Sequence, residues 1–238
     1  MKRIVILLVL VLPAFSFKAE DPCLGSLKEC LGKMAAVSKP QNGKSCYMHM
    51  NVRKDMDSKS KVPDSDVEVK ITISEKVMLY ETNAITIYKD EQDAFTIIHA
   101  RKQIIWTEGT KPSYNEEQVK QIGTLQQKAV EKCSVQSCQK VDYKSREASR
   151  LTLVPPADYQ KGSKLKEMTF IYDGKEKKIE QIGMKYLPGS ELKEEVTTFH
   201  EINFNYKGSV PAKVKGLVLN TSGKVLARYK GYALVDQR

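Results

Sequence analysis

Two hydrophobic periods follow one another along the chain and predict a helix, a run of strands, a second helix and further strands. Apolar residues recur every three or four positions over 22–37 and 113–132, which is the period of an amphipathic helix. From residue 45 the period changes to two, which is typical of strands with one buried face. The predicted strands are 46–52, 67–73, 77–80, 84–88, 94–100, 103–107, 147–154, 165–173, 178–187, 194–206, 216–220, 224–229 and 232–236.

The spacing of these strands predicts the fold class. Short strands separated by tight polar turns favour an antiparallel meander, and Asp173-Gly174 is a strong hairpin signal between two of them. So many strands in one sheet do not stay flat. We therefore expect an α+β fold of mostly antiparallel β structure, in which a curved sheet forms an incomplete barrel and helices cover its concave side.

The amino-terminal segment has the pattern of an export signal. Lys2 and Arg3 precede an apolar run over 4–12, and Ala14 and Ser16 are small residues at the spacing of a cleavage site. Residues 1–16 are therefore predicted to be a signal peptide and 17–238 a single domain. The mature protein is expected to be periplasmic or secreted, and soluble after cleavage.

The charge of the chain changes the choice of partner more than the fold. The formal net charge is +10, but only seven of the 39 basic residues are arginine. Proteins that bind nucleic acid usually concentrate basic residues on one face, whereas the lysines here are mixed with acidic residues. A solvated lysine-rich surface is the simpler interpretation, attraction to anionic lipid headgroups or an acidic partner is the alternative, and no nucleic-acid partner is expected.

Five cysteines in an exported chain favour disulfide bonds. Cys133 and Cys138 flank four residues, and we predict that a tight loop lets them pair. Cys23 and Cys30 lie about 10.5 Å apart along the predicted helix, beyond the reach of a disulfide. Cys46 therefore pairs with one of them, or none pair, and Cys30–Cys46 is the prediction because Cys30 lies nearer the helix end that leads to Cys46.

The residues that carry chemistry do not form an enzymatic motif. The sequence lacks Gly-x-Ser-x-Gly, phosphate-loop and dinucleotide glycine patterns. His49, His99 and His200 each stand alone in the sequence, and no Cys-x-x-Cys pair is present, so no metal site is predicted. We expect a protein without enzymatic activity and without a cofactor.

The predicted inward face of the strands is rich in methionine and aromatic residues. A fully packed core is one interpretation of this pattern. A ligand cavity is the other, since methionine suits adaptable apolar binding and concave apolar surfaces are common ligand sites. The candidate ligand-binding residues are Met48, Met50, Ile71, Phe95, Ile97, Trp106, Phe170, Tyr172 and Met184.

The second half of the chain resembles a known family. The strand patterns over 165–171, 179–182 and 197–206 are similar to the carboxy-terminal strands of the periplasmic outer-membrane lipoprotein carriers, the LolA-like family. The resemblance implies that 17–238 is one half-barrel domain with helices as a lid. It also implies that the cavity binds acyl chains of a lipid or lipoprotein, with an outer- or inner-membrane protein as partner.

Two functions therefore compete at the level of sequence. The first is an exported carrier or chaperone that shields an apolar ligand in the cavity of a half-open barrel. The second is a periplasmic structural or protein-interaction module on the same scaffold, with a filled core. A void inside the sheet favours the first, and a close-packed interior favours the second.

Overall fold

The computed structural model describes residues 21–37, 45–110, 130 and 132–238. Two α-helices are described, α1 (Pro22–Val37) and α2 (Ala157–Ser163). The strands are β1 (Ser45–Met56), β2 (Ser65–Ile73), β3 (Met78–Glu81), β4 (Ile85–Lys89), β5 (Asp93–Ile98), β6 (Gln103–Glu108), β7 (Ser134–Tyr143), β8 (Arg146–Val154), β9 (Leu165–Asp173), β10 (Lys178–Tyr186), β11 (Leu192–Tyr206) and β12 (Ala233–Asp236).

All twelve strands belong to one open sheet, in the order β12-β6-β5-β4-β3-β2-β1-β11-β10-β9-β8-β7. Every neighbouring pair is antiparallel except β12, which runs parallel to β6. The sheet is curved and its two edge strands, β12 and β7, do not pair with each other. The predicted fold class, an incomplete antiparallel barrel with helices, is confirmed.

Two predicted elements lie outside the described residues. The signal peptide over 1–16 is one, and the helix over 113–132 is the other except for Val130 and Lys132, which are helical. No helix in the described part of the chain is long and apolar enough to cross a bilayer.

Helix α1 covers one end of the sheet and forms the first core with it. Asp21 caps the helix, because its carboxylate accepts hydrogen bonds from the backbone N–H groups of Cys23 (2.8 Å) and Leu24 (3.4 Å). The predicted apolar stripe of the helix faces the strands and buries Leu27 and Leu31 against β8–β11. The buried members of the first core are Leu27, Cys30, Leu31, Val130, Cys133, Leu151, Leu153, Leu165, Met168, Phe170, Tyr172, Ile179 and Phe199.

The segment that follows β11 crosses to the other end of the sheet and forms a second core there. It contains two short 3-10 helices (Lys215–Leu217 and Ala227–Tyr229) and packs on β3–β6. The predicted strands 216–220 and 224–229 are wrong: 3-10 helices occupy part of both ranges, and one bridge joins Leu219 to Val225. The buried members of the second core are Val77, Tyr88, Phe95, Ile97, Ile104, Trp106, Val214, Val218, Leu219 and Tyr229.

Polar contacts hold this carboxy-terminal segment on the sheet. The buried Asp90 carboxylate accepts the backbone N–H of Val214 at 2.7 Å. Within the sheet, Asp93 of β5 accepts the indole N–H of Trp106 of β6 at 2.7 Å and fixes the ring on which the segment packs. The Arg238 guanidinium lies 3.3 Å from the centre of the Trp106 ring. Hydrogen bonds from Arg238 lower the pKa of the Asp236 carboxyl to about 2.

The two cores lie on opposite faces of the sheet. Directly paired residues of an antiparallel sheet point to the same side, so the register can be followed from strand to strand. Phe95 pairs with Tyr88 and Trp106, and this row continues through β3 and β2 to Tyr47. The neighbouring residue, Met48, therefore points to the other side, which is the side of the first core. We call that side the helix face.

The cysteine pairings predicted from sequence are wrong. The structure pairs Cys23 with Cys138, with 6.5 Å between their Cα atoms. Residues 134–143 form strand β7 rather than a tight loop, and an extended strand separates Cys133 from Cys138 by about 16 Å. Cys30 and Cys46 are buried thiols instead of a disulfide pair, because the Cys30 Sγ faces the Asp173 carbonyl of β9 (3.8 Å), whereas Cys46 is the second residue of β1.

Candidate functional site

The register divides the nine predicted ligand-binding residues between the two faces. Phe95, Ile97 and Trp106 lie on the face opposite α1, where the carboxy-terminal segment packs on them. Phe95 and Ile97 are fully buried there. The expectation that all nine point into one interior is therefore wrong, because an alternating pattern shows that two faces differ but does not tell which face of one strand continues that of another.

Four other predicted residues belong to the first core. Phe170 and Tyr172 are buried under α1, and the Tyr172 hydroxyl donates a hydrogen bond to the Cys23 carbonyl at 2.8 Å. Met50 and Met184 are partly buried and pack against the same core. All four side chains therefore pack with α1 and its neighbouring strands, and Tyr172 also lines a smaller pocket of about 280 Å³ at the amino-terminal end of the helix.

Met48 and Ile71 lie on the helix face, in neighbouring strands near the middle of the sheet. They face each other across β1 and β2, are half-buried, and belong to neither core among the residues described. The row that contains them crosses seven strands, about 28 Å, and all its members are half-buried. Its members are Ile202, Met48, Ile71, Tyr80, Ile87, Thr96 and Ile105. We call this set the helix-face row.

A groove of about 370 Å³ lies at the β11 end of the helix-face row. It runs between the second half of α1 and the strands β10 and β11. Its apolar lining consists of Met34, Ile179, Ile202 and Phe204. Since Ile202 lies directly opposite Met48 in the sheet, the groove is adjacent to the helix-face row and shares Ile202 with it.

Lysines line the rim of this groove, and each has a different partner. The Lys33 ammonium donates to the backbone carbonyl of Glu176 at 2.8 Å, so its charge has no carboxylate at that contact. Lys177 forms an ion pair with Glu29 at 3.0 Å, and Lys178 forms one with the buried Glu180 at 3.0 Å. Lys33 is therefore the rim cation best suited to meet an anionic group at the mouth of the groove.

Cys30 and Cys46 are buried thiols, and Cys30 belongs to the first core. Burial is the main cause that raises the pKa of Cys30 to about 11, with the nearby Glu29 and Asp173 charges acting in the same direction. Burial alone raises the pKa of Cys46 to about 11. A thiol that stays protonated at neutral pH is a poor nucleophile.

Sequence reasoning missed most of the groove. Met34 belongs to the predicted helical stripe, but Ile179, Ile202 and Phe204 were not among the candidate site residues although they lie in predicted strands. Long-range pairing of β1 with β11 brings Ile202 opposite Met48. The sequence contains no local signal for that pairing, since the two strands are separated by most of the chain.

Comparisons with known proteins give a weak structural likeness. No family model and no curated protein matches the sequence. The lipoprotein LppX of Mycobacterium tuberculosis is 15% identical, with a TM-score of 0.46, over 80% of this chain and 100% of that one. An uncharacterized conserved protein of Thermus thermophilus is 7% identical, with a TM-score of 0.42, over 89% and 99%. A LolA superfamily protein of Nitrosomonas europaea is 8% identical, with a TM-score of 0.34, over 79% and 96%.

Proposed function

We propose that this protein is a carrier that holds the acyl chains of a lipid or lipoprotein against the helix face of its open sheet. The observation that supports this function is the apolar groove under α1 and its continuation into the half-buried helix-face row. Each CH₂ group that leaves water for such a surface contributes about 0.8 kcal/mol. A long row of partly exposed apolar side chains therefore gives an acyl chain many small favourable contacts.

The positive charge at the rim of the groove favours an amphiphilic ligand over a purely apolar one. The floor consists of aliphatic and aromatic side chains, whereas Lys33 at the edge presents an ammonium group. A cation close to an anionic headgroup contributes about 1 kcal/mol. We infer that the ligand places its acyl chain on the floor and its headgroup at the lysine rim.

A protein-interaction module is the second candidate, and the filled second core supports it. Three residues expected to line a cavity are packed there by the carboxy-terminal segment. In this alternative the helix face binds a partner protein, and no lipid copurifies with the chain. Export, localisation and the lack of enzymatic activity remain predictions under either function.

Titration of the delipidated protein with a fluorescent fatty acid tests the carrier function. The parent protein is expected to bind one or more molecules saturably. Ile202→Trp fills the groove floor and should weaken binding by at least about tenfold, since several CH₂ contacts are lost at about 0.8 kcal/mol each. Asn203→Trp is the matched control, because Asn203 pairs with Tyr47 and lies on the opposite face of the same strand.

The two candidate functions give different results in this experiment. A carrier binds the probe, loses it in Ile202→Trp and keeps it in Asn203→Trp. A parent protein that shows no saturable binding, together with native mass spectra free of added lipid mass, would contradict the carrier function and leave the interaction module.

A further inference from the structure

Two of the three histidines of the chain meet on the face of the sheet opposite α1. His49 of β1 and His200 of β11 lie with their ring centres 4.9 Å apart, although they are far apart in the sequence. Glu68 of β2 lies between them, with one carboxylate oxygen 2.7 Å from Nε2 of His49 and the other 3.5 Å from Nε2 of His200. Three adjacent strands thus contribute one ligand-type side chain each.

An irregularity in the sheet creates this arrangement. His49 pairs with Glu201, and the next residue, Met50, pairs with Phe199, so His200 is an extra residue in β11. A bulge of this kind redirects a side chain. Here it leaves His200 beside His49, while Phe199 stays in the first core on the other face.

The three side chains match the ligand preferences of a divalent transition metal. The ligand atoms of His49, Glu68 and His200 all lie within 4.8 Å of one another. Ligands at about 2.0–2.2 Å from a tetrahedral zinc ion lie roughly 3.3–3.6 Å apart, so small side-chain rotations close the set around an ion. Two imidazoles and a carboxylate suit zinc, and solvent completes the fourth position.

Neighbouring side chains orient the carboxylate and balance its charge. Asn51 donates to Glu68 at 3.3 Å and also donates to Asp66, which is the kind of outer hydrogen bond that supports metal ligands. Desolvation would raise the pKa of Glu68, but hydrogen bonds from His49 and Asn51 and the two histidine charges lower it. Lys70 and Glu201 face His49 from either side in the sheet and offset each other.

The third histidine, His99, has a structural role, because both of its ring nitrogens are hydrogen-bonded within the fold. His99 is hydrogen-bonded through Nε2 to Thr86 (2.9 Å) and through Nδ1 to Tyr232 (3.1 Å). Both ring nitrogens therefore hold the second core together. In contrast, the Nε2 atoms of His49 and His200 both converge on one carboxylate at a partly exposed surface, with 30% and 40% of their side chains accessible.

We propose that His49, Glu68 and His200 bind one zinc-type divalent transition-metal ion at the surface of β2, β1 and β11. This site is independent of the acyl-chain groove, because it lies on the opposite face of the same strands. A metal ion at this position links the three strands that join the two ends of the sheet. Binding should therefore stabilise the folded chain as well as occupy the site.

Zinc titration of the untagged, full-length protein against a chromophoric zinc chelator tests the proposal. The parent protein should bind one equivalent. His49→Gln and His200→Gln should each weaken zinc binding by at least about tenfold, and Asn51→Ala, which removes the outer hydrogen bond, by about tenfold. His99→Gln is the matched control, since it removes the remaining imidazole and should leave zinc affinity unchanged.

Thermal unfolding with and without zinc gives a second measurement for the same variants. Zinc should raise the melting temperature of the parent and of His99→Gln, but not that of the His49→Gln/His200→Gln double variant. A parent that binds no zinc would overturn the proposal. Binding that survives the double variant, or that disappears only when the cysteines are alkylated, would overturn it as well.

Discussion

The first core and the second core place apolar residues on opposite faces of one sheet, and they differ in how completely the neighbouring apolar residues are buried. In the second core, the carboxy-terminal segment covers β3–β6, and Phe95 and Ile97 are fully buried. In the first core, α1 covers β8–β10, but beyond its edge the helix-face row stays half-buried and joins a groove. Among the described residues, β3–β6 therefore carry fully buried side chains on one face and a half-buried, mostly apolar row on the other.

The unequal burial of the two faces separates residues that stabilise the fold from residues that can contact a ligand. Residues that are fully buried contribute most to the free energy of unfolding. Half-buried residues contribute less to it and retain apolar area for a ligand. We therefore expect substitutions in the second core to change stability and substitutions in the helix-face row to change binding.

Truncation of one buried aromatic residue should have the largest effect. Phe95→Ala removes a fully buried ring and should lower the free energy of unfolding by about 3–5 kcal/mol. Binding of the fluorescent fatty acid by the folded variant should not change. Met48→Ala, on the helix face, should lose less stability but bind the probe more weakly. Urea unfolding and probe titration of both variants measure these effects. Weaker probe binding in Phe95→Ala than in Met48→Ala would contradict the separate roles of the two faces.

Removal of the Cys23–Cys138 disulfide should act on the first core. The bond closes a sequence separation of 115 residues, and its loss in Cys23→Ser/Cys138→Ser should cost about 2–4 kcal/mol. Alkylation of Cys30 measures opening of this core, because its thiol is buried and its pKa is raised to about 11. Trp106 is the single tryptophan of the chain and reports the second core.

The disulfide variant should therefore react faster at Cys30 at denaturant concentrations where Trp106 fluorescence is still native. The parent protein is the control in the same samples. Simultaneous changes in both signals would show that the two cores unfold together and would contradict their separation.

Insertion of a larger side chain should change the free energy of unfolding by a smaller amount, and differently on the two faces. Ile97→Trp adds atoms to a fully packed site and should destabilise the protein by about 1–3 kcal/mol, without affecting the fatty-acid affinity. Ile202→Trp adds the same ring to an open groove and should cost less stability. Loss of probe binding in a folded Ile97→Trp variant would show that the second core contributes to the site.

The rim charge should give the smallest effect. Lys33→Gln keeps a donor for the Glu176 carbonyl but removes the charge, and it should weaken binding of a fatty acid by up to about fivefold, or about 1 kcal/mol. Lys33→Arg is the control that keeps the charge. An uncharged monoacylglycerol should bind the parent and Lys33→Gln equally, and an equal loss for both ligands would contradict a headgroup role.

Local patterns were sufficient to predict most elements of this fold. The helix Pro22–Val37 and the strand Leu165–Asp173 have the predicted bounds, because capping, apolar periodicity and the Asp173-Gly174 turn all act over a few residues. The prediction of a closed loop in place of strand β7 is wrong because two cysteines in a polar segment resemble the ends of a tight turn. The parallel β12 is a predicted strand, but its pairing with β6 depends on a long crossing segment.

Long-range register explains why the sites were less predictable. The pattern in β5 shows that Phe95 and Thr96 point to opposite sides, but only pairing through β4, β3 and β2 shows which side carries α1. The contact between His49 and His200 was unpredictable for the same reason, because each histidine is isolated in the sequence. A bulge in β11 and pairing with β1 bring them together, and neither has a local sequence signal.

Photocrosslinking maps the acyl-chain site most directly. A fatty acid with a diazirine on its chain is bound to the parent protein, activated by light, and its adducts are located by peptide mass spectrometry. We expect adducts on α1 near Met34 and on β10 and β11 near Ile179, Ile202 and Phe204, and excess unlabelled fatty acid should suppress them. Suppressible adducts on Phe95, Ile97 or Trp106 instead would contradict a binding site on the helix face.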